Sequence, residues 1–275
     1  MFSIVILTYN EEENLPACFE SIAWCDDVWV VDSFSTDRTV EIAKSHGAKV
    51  VQRAFDNFGN QRNFAIDTCA FKYEWIFDLD ADERFTDELK TECEERARLD
   101  QHSAYWVANK MMLWGKWIRH ASGFPVYQMR FHKLGEVRFI SHGHGQRESE
   151  AVRGLGYLRE PYVHYNFSKG VSKWFEGHVR YAKDEALESM KVGENRCKGW
   201  ADGVEDPLAR RRMLKRFSER MPCRPFLKFL FLYVFKMGFL DGCAGLAYCL
   251  MQAHYEFMIV AIRRDLTIKK RDKMA

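Results

Sequence analysis

The sequence has no C-x-x-C pair, although it carries eight cysteines, at positions 18, 25, 69, 93, 197, 223, 243 and 249. Thiols scattered in this way exclude a zinc knuckle and a thioredoxin-like redox motif. No G-x-G-x-x-G follows the first apolar run, and no G-x-x-x-x-G-K-[ST] occurs, which argues against a dinucleotide fingerprint and a P-loop. Met1-Phe2-Ser3-Ile4 offers neither a basic n-region nor a cleavage site. No signal peptide is therefore expected, and the thiols are expected to be reduced, in the cytoplasm. The net charge of only +2 does not mark a nucleic-acid binder. No uncharged stretch reaches eighteen residues, so a membrane-spanning helix is not expected.

What is present fits a globular enzyme. The 275 residues can hold one large domain or a domain with an appendage, and 47% apolar content supports a real core. Acidic residues are frequent in the first hundred positions, and Lys and Arg gather from Arg196 onward. Phe2 to Leu7, Val28 to Val31 and Trp75 to Leu79 read as buried strands, and Lys49 to Gln52 as a short one. Between them, helices are expected after Asn14 with Pro16 in the first turn, after Ser33 to Asp37 ending near Gly47, and over Asn60 to Phe71. This alternation predicts an α/β fold with a doubly wound parallel sheet, whose ligands bind beyond the carboxyl ends of the strands.

Three polar clusters fall at those ends: Thr8 to Glu11, Asp32 to Asp37, and Asp80 to Glu83. The last belongs to Asp78-Leu79-Asp80-Ala81-Asp82-Glu83, where four carboxylates crowd into six residues. A divalent cation would offset that crowding, since Mg²⁺ and Mn²⁺ take oxygen ligands. Asp80 and Asp82, read as an i, i+2 pair on an extended strand, would point the same way. A charged turn opening a helix at Thr86-Asp87-Glu88 is the plainer alternative.

Four segments, taken together, resemble the inverting family 2 glycosyltransferases of the GT-A fold. They are Ile4 to Glu11, Val30-Val31-Asp32-Ser33-Phe34-Ser35-Thr36-Asp37-Arg38-Thr39, Gln61-Arg62-Asn63, and Asp78 to Glu83. The similarity covers roughly the first ninety residues and is greatest to enzymes of lipopolysaccharide-core and capsule synthesis, including the heptose β-glucosyltransferase type. Phe34 stands where the family usually has Gly. The resemblance implies a nucleotide-diphospho-sugar donor, UDP-linked, with Thr8, Tyr9, Asn10 and Glu11 edging the base and ribose. It implies that Asp32 hydrogen-bonds the base and that Arg62 lies near the nucleotide. Asp80 and Asp82 would be the D-x-D pair, Asp82 touching Mg²⁺ or Mn²⁺ on the diphosphate.

The second half is expected to serve the acceptor. Ala104 to Trp114, Val126 to Lys133 and Tyr157 to Asn166 read as strands, and a helix is expected from Ser168 to about Met190. Arg130 and His132 share an alternating strand face and could meet phosphate or sugar, or belong to a plain half-buried strand. In His142-Gly143-His144-Gly145-Gln146-Arg147-Glu148, an inverting transfer could draw its general base from Glu148 or His144; H-x-H also invites a metal reading, and a structural loop is the plain one. His164 could face the diphosphate or pack in the core. Residues 193–207 read as a linker. Arg210, Arg211, Arg212, Lys215, Arg216 and Arg220 precede an apolar aromatic stretch from Phe226. That arrangement suits an interfacial anchor on an anionic inner leaflet through 210–264, or a helical hairpin packed on the catalytic domain or across a homo-oligomer.

The expected organisation is thus a GT-A catalytic domain over 1–192, with a nucleotide-sugar half (1–103) and an acceptor half (104–192), and a helical extension over 193–275. The expected activity is inverting transfer of a sugar to a saccharide or lipid-linked acceptor, with no nucleic-acid partner, in the cytoplasm or at the inner face of its membrane. Two rivals remain. A nucleotidyltransferase would normally carry a Gly-rich, Arg-Lys-bearing loop after the first strand, which Thr8 to Glu13 lacks. A non-catalytic scaffold would not need Asp32, Asp80 and Asp82 intact.

Overall fold

The structure is a computed structural model that describes residues 1–142, 145–148, 151–194 and 223–272, with backbone alone at 141–142, 145–148, 188 and 191–194. Its chain forms two compact units. One comprises Met1–Arg119 with Gly123–Ser172, the other His120–Ser122 with Lys173–Ala275.

The first unit is built on a mixed sheet. Its opening strands are β1 (Ser3–Thr8), β2 (Val28–Asp32), β3 (Lys49–Gln52) and β4 (Trp75–Asp80), all parallel in the order β3-β2-β1-β4. Both faces of β1, β2 and the first half of β4 are covered, which is why Ile4 to Leu7, Val28 to Val31 and Trp75 to Phe77 are continuously apolar rather than alternating, whereas the short β3 is exposed at both ends. Ile4, Ile6, Val30 and Phe77 turn to one face, against α1 (Leu15–Ser21), α2 (Thr39–Ser45) and α4 (Asp87–Leu99), through Leu15, Phe19, Ala43 and Leu89. Val5, Val31 and Ile76 turn to the other, against Ala65 of α3 (Phe58–Thr68). Asn57 caps α3 by accepting from the Asn60 amide at 2.8 Å, and Thr86 caps α4 from Leu89 at 3.2 Å. The helix at Thr86 therefore exists alongside the acidic cluster, not instead of it.

Beyond β4 the sheet stops being parallel, which the strand–helix alternation did not foresee. Strand β8 (Tyr127–Lys133) runs antiparallel to β4 and to β6 (Ala104–Leu113), and β12 (Tyr162–His164) then pairs with β6 and with β5 (Glu83–Arg84). A short β7 (Lys116–Trp117) folds back on β6, and β9 (Phe139–His142) and β10 (Gly145–Glu148) form a separate hairpin. The expected strand over Tyr157 to Asn166 is instead two. Strand β11 (Leu155–Tyr157) and β12 dock on successive parts of β6, with Pro161 between them unable to donate to a ladder.

The second unit is helical. It contains most of α5 (Gly170–Glu194), then α6 (Arg224–Leu230), a π-helical turn at Phe231–Phe235, a 3₁₀ turn at Gly238–Asp241, and α7 (Gly242–Asp272). Asp241 is buried and accepts from the His120 and Ala121 amides at 2.8 and 2.7 Å. A Cβ on Gly245 would lie 2.2 Å from the Gly238 carbonyl oxygen, so only glycine permits that approach. By length and composition alone, Gly238–Asp272 is long and apolar enough to cross a membrane. The basic cluster Arg210 to Arg220 lies outside the described residues.

Candidate active site

Two neighbouring strand ends form the first half of the site. In the register of β1 with β2, Thr8 stands opposite Asp32. The Thr8 hydroxyl donates to Asp32 at 3.0 Å, Gln52 donates at 2.9 Å, and Ser35 donates through its amide at 2.9 Å and through its hydroxyl. Asp32 has 0% exposure, and all four donors come from the protein. It therefore organises the loop. Asn10 stitches the two loops together: its amide donates to Ser35 Oγ at 2.9 Å, and its side-chain oxygen accepts from the Thr36 amide at 2.8 Å. Phe34 has φ +57°, the left-handed conformation that glycine adopts without cost. The turn is thus made with a strained phenylalanine. Tyr9 and Phe34 are both exposed.

Glu11 meets a residue that the sequence reading missed. Lys169, far along the chain, donates to Glu11 Oε1 and to the Asn10 carbonyl, both at 2.6 Å. Burial raises the Glu11 pKa, only partly offset by Asn14 and Lys169.

The second half is a charged network at the end of β4. The register of β1 with β4 sets Leu7 opposite Asp80, so Thr8 lies between the Asp32 loop and this network. Asp78 and Asp80 share one face of β4. Arg62 of α3 meets both, at 2.8 Å to Asp78 and 3.5 Å to Asp80. The expected pairing of Asp80 with Asp82 along one strand does not hold, because β4 ends at Asp80 and Asp82 lies in the turn into β5. That turn is fixed by the Asp80 amide, which donates to Glu83 at 2.9 Å, and by the Tyr165 amide, which donates to the Asp82 carbonyl at 2.8 Å.

Arg130 reaches this network through a β-bulge. On β6, Tyr105 faces Phe131 and the next residue, Trp106, faces Met129, leaving Arg130 without a ladder partner. Bulges of this kind re-aim a side chain. Here the guanidinium is buried and sits 2.6 Å from Asp80 and 2.5 Å from Glu83, while its Nη1 has no hydrogen-bond partner. His132 lies 3.2 Å from Asp78. His164 lies 3.3 Å from Asp82 and 4.0 Å from Glu83.

The electrostatics follow from this packing. Burial opposes the Asp80 carboxylate, but Arg130 and then Arg62 outweigh it and hold its pKa well below the usual range. Burial pushes Glu83 up to about 7, against the pull of Arg130. Burial would lower the His164 pKa, but Asp82, with Glu83 and Asp80 behind it, raises it to about 9, so the imidazole is protonated at neutral pH. Arg62, Arg130 and His164 thus relieve from within the protein the crowding that the sequence suggested a divalent cation would offset.

Room for a metal remains, on particular terms. The side chains of Asp80 and Asp82 are 31% and 27% exposed, whereas Asp78 and Glu83 are sealed. Among the described residues, no group of three or more His, Cys, Asp or Glu side chains is arranged to hold a metal ion. The residues fit a cation that takes one or two carboxylates and completes its shell with phosphate oxygens and water, as Mg²⁺ commonly does. They do not fit one held in a protein cage.

Of the two expected bases, His144 lies outside the described residues. Glu148 ends β10 with its backbone opposite Phe139. The Phe139 ring lies 5.7 Å from the Arg62 guanidinium, and the Phe139 amide donates to Asn63 at 3.0 Å.

Acidic and polar loops gathered at the carboxyl edge of a doubly wound half-sheet are where such folds bind their ligands. The family model described as "Glycosyl transferase family 2" matches residues 3–151, more than half of the chain, and the protein belongs to that family. An uncharacterized glycosyltransferase of Rickettsia typhi is 36% identical over 99% of this chain and 90% of its own length. A lipopolysaccharide core biosynthesis glycosyltransferase, LpsC of Rhizobium meliloti, is 32% identical over 32% of this chain and 34% of its own. An uncharacterized glycosyltransferase of Rickettsia bellii is matched over only 36% of its length. S. aureus TarS 1–349 in complex with UDP has a TM-score of 0.46 at 14% identity, over 99% of this chain and 91% of that one.

Proposed function

We propose that this enzyme transfers a sugar from a nucleotide-diphosphate donor, UDP-linked, to a saccharide or lipid-linked acceptor of cell-surface polysaccharide or lipopolysaccharide, with inversion at C1. The observation that carries the reading is the partly exposed Asp80 and Asp82, held among Arg62, Arg130 and His164 beside the stitched Thr8 and Asp32 loops. The name of the Rhizobium relative supports the acceptor class.

In this reading Thr8, Tyr9, Asn10 and the Asp32 loop bind the nucleoside. Asp82, with Asp80, would hold Mg²⁺ or Mn²⁺, which when bound neutralises charge on the departing diphosphate. Arg62 and Arg130 fix Asp80 from two sides, so its free edge faces the ligand without reorganisation. The protonated His164 adds a cationic hydrogen-bond donor beside Asp82. Glu148 or His144 takes the proton of the attacking hydroxyl, which displaces the nucleotide in line.

The helical unit supports contact with a membrane surface. Between Cys223 and Asp241, Phe226, Phe231, Val234, Phe235, Phe239 and Leu240 are all exposed. Lys228 and Lys236 lie in the same segment, and its one acid, Asp241, is buried. Lys228 pairs with Glu256 at 4.0 Å, which leaves an apolar surface with Lys236 at its edge, a composition that suits the interface of an anionic leaflet.

Calorimetric titration with UDP, with and without Mn²⁺, tests the donor site. Binding that strengthens with Mn²⁺ in the wild type, and loses that gain in Asp82→Asn, is the expected result. UDP binding indifferent to both the metal and the substitution would overturn the assignment.

A further inference from the structure

A second group of side chains in the first unit has no part in the carboxylate network. Tyr157 is 60% exposed and Tyr127 is 37% exposed. Their ring centroids are 5.0 Å apart at 81°, and the Tyr157 ring lies nearly parallel to Trp106 at 6.5 Å. Exposed aromatics in mutual contact mark a surface that meets a ligand more often than scattered ones do.

Strand register places this cluster relative to the site. Tyr157 stands opposite Trp106 on β6, and Trp106 stands opposite Met129 on β8. Trp106 and Met129 pack with Ile66 of α3, so the cluster continues the α3 face of the sheet. Tyr127 is two residues before Met129 and shares that face. It is the face from which Arg62 meets Asp78 and Asp80. In the antiparallel register of β4 with β8, Phe77 faces Phe131. Past that pair β8 bulges at Arg130, and the residues before the bulge, Tyr127 among them, run toward the strand end where Asp80 lies. The sheet order then divides the ligand: β1 and β2, with the Asp32 loop, lie on one side of β4, and β8, β6 and β11 lie on the other. With strands about 4.8 Å apart, Tyr157 stands roughly 14 Å from the end of β4.

The platform is rigidly built. A Cβ on Gly156 would lie 2.5 Å from the Tyr105 ring, which is itself packed against Trp75 and Phe131. Only glycine lets β11 lie close enough to hold Tyr157 against Trp106.

We propose that Tyr157, Tyr127 and Trp106 form a stacking subsite for a sugar ring of the acceptor, away from the hydroxyl that is glycosylated. The inference rests on the sugar-transfer reading for the nature of the ligand. A pyranose presents an apolar C–H face and a rim of hydroxyls. Polarised C–H groups meet the negative face of an aromatic ring favourably, and the tyrosine hydroxyls can hydrogen-bond the rim. The nucleotide loops lie across β4, so the ring bound here is an acceptor sugar and the acceptor is an oligosaccharide.

The full-length protein is applied, without donor or metal, to a printed panel of defined core and capsular oligosaccharides and their constituent monosaccharides. The wild type is expected to bind at least one oligosaccharide more tightly than its constituent sugars. Tyr157→Ala should weaken that binding about tenfold, and Tyr157→Phe should stay within about twofold, because the ring supplies the contact. Unchanged melting temperatures show that both variants fold. Absence of binding by the wild type, or full binding by Tyr157→Ala, overturns the proposal. So does a wild-type dimer in sedimentation that Tyr157→Ala dissociates, since a second copy would then be what covers the rings. This readout needs no turnover, so failure to hydrolyse any nucleotide sugar would sink the catalytic reading without being mistaken for failure of the subsite.

Discussion

Replacing Arg130 with methionine tests whether the carboxylate network is held together as described. The substitution keeps an unbranched side chain but removes the guanidinium that lies 2.6 Å from Asp80 and 2.5 Å from Glu83. The two acids do not suffer equally. Asp80 is about a third exposed and keeps Arg62, whereas Glu83 is fully buried and is left with the Asp80 amide and a histidine at 4.0 Å. Breaking a buried ion pair by removing one partner costs about 3–5 kcal/mol. The lower end applies here, because Glu83 can escape by taking up a proton, its pKa already being about 7. A loss of about 3 kcal/mol lowers the melting temperature of a unit this size by roughly 6–12 °C. Urea denaturation followed by circular dichroism at pH 7.5 reads the change. The double variant Arg130→Met/Glu83→Gln removes the stranded charge as well and should recover about 2 kcal/mol. A single variant within about 1 kcal/mol of wild type, or a double variant no better than the single, would refute the reasoning.

Phe34→Gly relieves a left-handed phenylalanine, so it should raise stability by about 0.5–1 kcal/mol despite glycine's entropy; a lower melting temperature would contradict the strain. Asp27 is buried and accepts from Ser3 Oγ at 2.5 Å, the Lys72 amide at 2.7 Å and Lys49 at 2.9 Å. Burial would raise its pKa, but Ser3, the Lys72 amide and Lys49 together lower it. Its stabilisation is therefore full above the unfolded carboxylate pKa and fades as pH falls through the folded one. Asp27→Asn should cost about 2 kcal/mol at pH 7, with urea midpoints converging on wild type below about pH 4. Vesicles containing anionic lipid should carry the protein upward in a flotation gradient, and neutral vesicles should not; Phe235→Glu should weaken the effect, and equal flotation with both lipids would contradict an electrostatic surface contact.

The parts legible in the sequence were those fixed by local pattern. Strands β1, β2 and β4 announce themselves because burial on both faces demands unbroken apolar runs. The positions of Asp32 and Asp80 at the carboxyl ends of β2 and β4 are legible for the same reason, since each ends an apolar run. The missing parts depend on partners distant in the chain. Arg130 enters the site through a register shift between β6 and β8, and no property of β8 alone encodes that shift. Lys169 reaches Glu11 from beyond the last strand. Asp82 was misplaced onto a strand because the Glu83 side chain and the Tyr165 amide, which fix the turn, leave no periodic trace. Phe34 shows the converse: the residue argues against the turn, yet the Asp32 and Asn10 hydrogen bonds on either side impose it.

In the proposed transfer, Asp80 and Asp82 would hold a metal that assists departure of the nucleotide from C1 of the donor sugar. Purified protein incubated with Mn²⁺ and a panel of UDP-, GDP-, dTDP- and CMP-sugars, with and without detergent-solubilised membrane saccharides, measures it through nucleotide release. Release from one donor that requires the metal, rises with the saccharides and disappears in Asp82→Asn is the predicted result. Release that persists unchanged in Asp82→Asn, or no release from any donor under any of these conditions, would contradict it.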